Sequence, residues 1–196
     1  MTAVRLRAAF VAVSIVWAAL LVAVPFAASQ PHVSAMLAAL IAGVYAVGSL
    51  VCHQLPERSY HLWTAQMPVC ARCAGIYFGA VLGAIAGAIR TATAVRHSRR
   101  VTLDGRNAAQ DSRRVAQDSP EVAQGFSPAN SVAGAFNNVW TARIVLALAA
   151  MPTLVSLVYE WTTGDAPSNA IRTAAGVPIG VAVARLIVAA TDNQVN

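Results

Sequence analysis

Five long apolar stretches, almost free of charged residues, constrain the fold of this chain more than any other feature of its sequence. A helix that crosses a membrane needs about 20 apolar residues, within a range of about 17 to 25. The stretches are residues 8–28, 33–51, 74–89, 144–159 and 173–190. The first two have this length, the next two are slightly short, and the fifth contains Arg185 near its end. We therefore predict an all-α polytopic membrane bundle of about five transmembrane helices.

The overall composition agrees with burial in a lipid bilayer. Hydrophobic residues make up 57% of the 196 residues and charged residues only 11%, whereas a soluble domain carries about 25% charged residues. The net charge of +6 comes entirely from arginine. Arginines clustered beside apolar spans set the orientation of a membrane protein. We therefore expect the lipid bilayer to be the partner of this chain, and not a nucleic acid.

The chain divides into four parts by composition. A charged segment rich in Ser, Gln and Asn shows no apolar periodicity, which is typical of a disordered linker. Residues 1–32 hold the first transmembrane helix and its connection, and residues 33–90 hold two helices that flank a cysteine loop (52–73). Residues 91–139 form the linker. Residues 140–196 hold two further helices and a C-terminal tail.

The first stretch also resembles a secretory signal, because Arg5 and Arg7 precede an apolar run that ends in PFAASQ. The run is long for a signal core and a second span follows almost at once, which favours a retained helix. The eight arginines in and beside the linker place that side in the cytoplasm, although Arg5 and Arg7 argue for the opposite orientation. In both orientations five spans place the cysteine loop and residues 160–169 on one face.

Glycines recur every four residues in the third stretch, and the spacing appears again in the fifth. Four-residue spacing puts these glycines on one face of a helix, and in a membrane such a face allows a neighbouring helix to approach closely. We predict that the third and fifth spans pack backbone to backbone. The glycines are Gly75, Gly79, Gly83, Gly87, Gly176 and Gly180.

All three cysteines of the chain lie in the loop between the second and third spans. They form the pattern C-H-x16-C-x2-C through Cys52, His53, Cys70 and Cys73. Thiolates and imidazoles are the preferred ligands of zinc and of softer transition metals. Neighbouring residues ligate one ion only from a bent backbone, so His53, His61 or water is a candidate for the fourth position. We predict a transition-metal site, with zinc as the leading candidate.

Two other interpretations of the cysteines are open. Cys70 and Cys73 form a C-x-x-C pair that suits a thiol–disulfide oxidoreductase, with Cys52 as a resolving thiol. The cysteines can also be apolar packing residues of a membrane scaffold. Arg72 lies between the pair, and a cation there would favour the thiolate that both metal binding and thiol–disulfide exchange use. The sequence leaves open whether the protein is an enzyme.

A second polar group follows the fourth span. Glu160 ends an apolar stretch, where a carboxylate is costly unless it has a partner or reaches water. We expect Glu160 and Arg172 to lie over the cysteine cluster as supporting partners or as a proton relay. Asn169 belongs to the same connection, where it or Ser168 can cap the fifth helix.

The segments CHQLPERSYHLW, MPVCARCAGIYFG and PSNAIRTAAGVPIG together resemble a family of bacterial and archaeal membrane proteins, domain-of-unknown-function family 2085. The resemblance covers residues 37–87 and 145–189, and it implies an integral protein of the bacterial cytoplasmic membrane. Where the family has an Asp-Gly pair, this chain has Glu160 and Trp161. The core positions that the resemblance implies are Cys52, His53, Gln54, Arg58, Ser59, Cys70, Arg72, Cys73, Gly75, Tyr77 and Gly79.

Overall fold

A computed structural model describes residues 3–115 and 139–192 of the chain. The elements are α1 (Ala3–Ala28), α2 (Ala35–Val51), a 3-10 turn (Pro56–Arg58), β1 (Ser59–Leu62), β2 (Ala65–Cys70), α3 (Ala71–Val115), α4 (Val139–Thr163) and α5 (Asn169–Asp192). Four helical segments within the described ranges are long and apolar enough to cross a membrane, and α2, with 17 residues, is shorter. The predicted helical membrane bundle is confirmed.

The third helix is much longer than its apolar stretch. It continues past Arg90 to Val115, so that residues 91–115 of the predicted linker belong to α3. This part of the sequence contains no proline, and its alanine, arginine and glutamine residues are favourable in helices. The rest of the predicted linker up to Asn138 lies outside the described residues.

The cysteine loop contains an antiparallel hairpin that the sequence analysis did not predict. Strands β1 and β2 pair through His61 with Gln66 and Leu62 with Ala65. Trp63 lies in the two-residue turn between them with a φ of 58°, a value that is uncommon for a residue other than glycine. The hairpin returns the chain to its starting point, because Ser59 at the beginning of β1 faces Cys70 at the end of β2.

Helices α3 and α5 run parallel to each other and touch through their backbones. A Cβ added at Gly75 or Gly79 would overlap the backbone of Thr173 or Val177, respectively, and one at Gly83 would lie 2.6 Å from the Val181 carbonyl oxygen. From α5, Gly176 and Gly180 face the backbone of α3 in the same way, and Gly87 packs against the Val188 side chain. Side chains at these positions would force the two helices apart.

Helix α1 covers the hairpin and the beginning of α3. Leu21 from α1 is fully buried together with Val69 of β2 and Ala74 of α3. Trp17 packs against the same cluster, and its ring meets Tyr77 edge to face at 5.9 Å between centroids. Most of the large apolar side chains of α4 are exposed, as expected for a helix that faces lipid. The packed core therefore surrounds the hairpin, at one end of the bundle.

We predict opposite effects of the same substitution at two glycines. Gly79→Ala should destabilise the bundle by about 1–3 kcal/mol, because the new methyl group overlaps the α5 backbone. Gly43→Ala should be neutral or stabilising by up to about 1 kcal/mol, since no atom lies within 4 Å of its added Cβ and alanine favours the helix. Thermal unfolding in mild detergent measures both effects. Equal melting temperatures for the two variants would contradict the close contact of α3 and α5.

Candidate metal and thiol site

Three chain segments bring the cysteines together. Cys52 follows the last residue of α2 and has an extended backbone, Cys70 ends β2, and Cys73 lies in the first turn of α3. The three sulfur atoms lie within 4.8 Å of one another, and all three thiols are free. The Cys70 backbone N–H donates to Cys52 Sγ at 3.2 Å. The hairpin thus brings Cys70 and Cys73 next to Cys52, which the sequence spacing alone only suggested.

The thiols are partly shielded from solvent. Cys52 is buried and the other two are half-buried, with Leu21, Met67 and Tyr77 in the surrounding apolar cluster. His53, predicted as a ligand, is exposed and is not part of the group of three cysteines. His61 is also exposed, on β1. The structure therefore brings together three of the four predicted ligands.

Cys70 is the thiol best prepared to ionise. A hydrogen bond with the Cys73 thiol, supported by the backbone N–H groups of Cys73 and Arg72, holds the pKa of the Cys70 thiol below its ordinary value, although burial opposes this. Cys70 immediately precedes α3, and a helix N-terminus stabilises a thiolate. The sequence had indicated the Arg72 side chain as the cause, whereas in the structure the Arg72 backbone contributes and the guanidinium turns towards Ser156.

Gln54 fastens the loop that carries Cys52. Its side-chain Nε2 donates to the Tyr45 carbonyl at 2.9 Å and to the Pro68 carbonyl at 2.6 Å. In return, Gln66 Nε2 donates to the Gln54 carbonyl at 2.6 Å. Gln54 has a φ of 50°, so the chain turns sharply directly after Cys52 and His53. These bonds join the end of α2 to β2, which fixes Cys52 beside Cys70.

Ser59 and Asn169 join the hairpin to α5. Ser59 is 1% exposed, its hydroxyl donates to the Leu55 carbonyl at 2.9 Å, and its own carbonyl accepts from Asn169 Nδ2 at 3.1 Å. The Tyr60 hydroxyl lies 2.9 Å from Thr173 Oγ1, which also lies within hydrogen-bond distance of the Ala71 carbonyl. The cysteine loop and the connection before α5 are thus on one face of the bundle.

A carboxylate and three guanidinium groups form a second cluster. Glu160 Oε1 lies 2.7 Å from Arg58 Nη2 and 3.1 Å from Arg172 Nη2, while Glu160 Oε2 lies 3.7 Å from Arg72 Nη2. Arg72 Nη2 also donates to Ser156 Oγ at 3.1 Å. Glu160 and Arg172 are buried and Arg58 is partly exposed. Glu160 and Arg172 thus pair with each other in this charge cluster, and their role as supporting partners of the cysteines or as a proton relay stays a prediction.

Ser156 and Thr173 are contacts that the sequence analysis missed. Ser156 lies four residues before Glu160, on the same face of α4. The four-residue spacing between this hydroxyl and the acid at the end of the apolar stretch was the sequence feature that could have indicated Ser156. Nothing in the sequence pointed to Trp17, because it resembles any other aromatic residue of an apolar span.

We predict that Glu160 holds the three guanidinium groups in place. Glu160→Gln should destabilise the folded protein by about 3 kcal/mol or more, because it leaves buried Arg172 without a counterion. Asp165→Asn, in the exposed connection before α5, is the matched control and should change little. Thermal unfolding in detergent compares the two. A Glu160→Gln protein as stable as the control would show that the cluster does not depend on this charge.

Comparison with known proteins finds that the cysteine region is similar to a described family. Residues 52–104 match the model of a predicted membrane protein family, DUF2085. An uncharacterized protein of Methanocaldococcus jannaschii, MJ1492, is 55% identical over 42 residues, which are 21% of this chain and 27% of that protein. No solved structure matches significantly. The family match therefore covers the segment that carries the thiols, the hairpin and the first part of α3.

Proposed function

We propose that this integral membrane protein binds one transition-metal ion, zinc in the first place, through Cys52, Cys70 and Cys73. The convergence of three free thiols from the end of α2, the end of β2 and the first turn of α3 is the observation that carries the proposal. In a tetrahedral zinc site with Zn–S bonds of about 2.3 Å, neighbouring sulfurs are about 3.8 Å apart. Sulfur atoms within 4.8 Å of one another need only a small adjustment to reach this geometry.

At Cys70 the protein environment favours the charge state that zinc requires. Thiols must lose their protons to bind the ion, and the hydrogen bonds at Cys70 already stabilise its thiolate. The hydrogen bonds of Gln54 on both sides of the loop hold Cys52 without using its sulfur. This arrangement leaves the three sulfurs free to share an ion.

We assign the fourth position to His53. It directly follows Cys52 and is exposed, so its ring can turn towards the thiols without breaking a packed contact. A closed set of four protein ligands is typical of a structural zinc site, whereas water in the fourth position is typical of a catalytic one. The identity of the fourth ligand therefore distinguishes the two uses of the ion.

We predict that the purified protein carries about one equivalent of zinc per chain. Elemental analysis of the protein in mild detergent, prepared with and without reductant, should find this amount. Cys70→Ser should lose most of it, because an alcohol is a poor zinc ligand at neutral pH. His61→Ala, an exposed residue of the same hairpin, is the control and should retain it. Equal zinc content in Cys70→Ser and the control would refute the site.

We further predict that His53→Ala weakens zinc binding by about tenfold or more, since it removes one of four ligands. Competition with a chromophoric chelator measures the affinity, and His61→Ala again serves as the reference. Zinc affinity unchanged in both variants would assign the fourth position to water and favour a catalytic ion.

A thiol–disulfide oxidoreductase is the second candidate, and the lowered pKa of Cys70 beside Cys73 favours it. In that reaction the two thiols form a disulfide and pass two electrons and two protons to an acceptor. A metal-free protein in which mass spectrometry finds a reversible Cys70–Cys73 disulfide would support this function over metal binding.

A further inference from the structure

A cleft between the end of α4 and the beginning of α5 lies beside the charge cluster. Its volume is about 740 Å³ and most of its wall is apolar, with Pro152, Val155, Ala174 and Ala175 among its lining residues. Volumes of about 300–1,000 Å³ are usual for sites that bind small molecules. Neither the cysteines nor their surrounding apolar cluster line this cleft.

One wall of the cleft leads directly to a guanidinium group. Ser156 lines the cleft, and its hydroxyl accepts a hydrogen bond from Arg72 Nη2 at 3.1 Å. Ser168 and Ile171, also in the lining, belong to the connection and the first turn of α5. The N-terminus of this 24-residue helix adds partial positive charge at the same place.

The charge cluster beside the cleft has more cations than anions. Three guanidinium groups share the single carboxylate of Glu160, so the cluster has an excess of two positive charges. The Nε atoms of Arg72 and Arg172 are buried and have no hydrogen-bond partner among the described residues, and Arg172 is only 2% exposed. Buried cationic groups are normally paired, so an excess of this kind calls for an external anion.

We propose that this cleft binds an acidic phospholipid. The acyl chains would lie along the apolar wall between α4 and α5, and the phosphate would be held by Arg72, Ser156 and the N-terminus of α5. The cleft lies where α4 ends and α5 begins, the level at which the headgroups of a bilayer meet the ends of its spanning helices. Arginine at such a site recognises phosphate with several N–H donors in a fixed plane.

The test uses the full-length protein in mild detergent and native mass spectrometry with added phosphatidylglycerol or phosphatidylcholine. Phosphatidylglycerol should bind about tenfold more tightly than phosphatidylcholine, because its headgroup has a net negative charge, whereas the choline group adds a positive charge beside the arginines. Ala174→Trp, which fills the cleft from an exposed wall position, should abolish this preference. Ala147→Trp on the exposed face of α4 outside the cleft is the matched control and should retain it.

A second variant tests the charge without changing the cleft. Arg58 is 43% exposed, so Arg58→Gln is tolerated by the fold more readily than a change at Arg172. It should reduce phosphatidylglycerol binding about fivefold and leave phosphatidylcholine binding unchanged, since it removes one charge from the cluster. Equal binding of both lipids by the wild-type protein would overturn the proposal. Displacement of the lipid by glycerol phosphate would also overturn it, by showing that a free phosphate is the ligand.

Discussion

The close backbone contact between α3 and α5 is the constraint on which the rest of the structure depends. Glycines line this contact and allow the close approach, and the two helices run parallel with their N-termini side by side. Thr173 near the start of α5 reaches the Ala71 carbonyl, and Asn169 reaches the hairpin at Ser59. The contact thus fixes the position of the first turn of α3, where Cys73 lies. A bundle with bulkier residues here would separate the hairpin from α5.

The same parallel arrangement makes this end of the bundle electropositive. Two helix N-termini contribute partial positive charge, and three arginines outnumber the single Glu160 that pairs with them. An electropositive environment favours thiolate over thiol, and it attracts anions. Cys70 lies at the N-terminus of α3 and the cleft lies at the N-terminus of α5, so each of the two sites adjoins one of these helix ends.

The helical membrane architecture was predictable because long apolar stretches in lipid leave the backbone no other way to satisfy its hydrogen bonds. The hairpin was not predictable, since its strands are short and include Pro68, and its turn depends on the left-handed conformation of Trp63. Grouping the cysteines required only their spacing, whereas the exposure of His53 depends on the sharp turn at Gln54. The length of α3 was underestimated because apolar periodicity cannot indicate the part of the helix after Arg90, where the apolar stretch has ended.

Arg72 belongs to both clusters, since its backbone N–H supports Cys70 while its guanidinium meets Ser156 and Glu160. A shift of the first turn of α3 therefore changes the contact with Cys70 and the contacts with Ser156 and Glu160 together. If a ligand bound to the thiols changes the affinity of the cleft for its own ligand, then thermodynamic linkage requires the reverse effect to be equal. A ligand bound in the cleft changes the affinity of the thiols by the same factor. An affinity measured at the thiols therefore depends on whether the cleft is occupied, and an affinity measured at the cleft depends on whether the thiols hold a ligand.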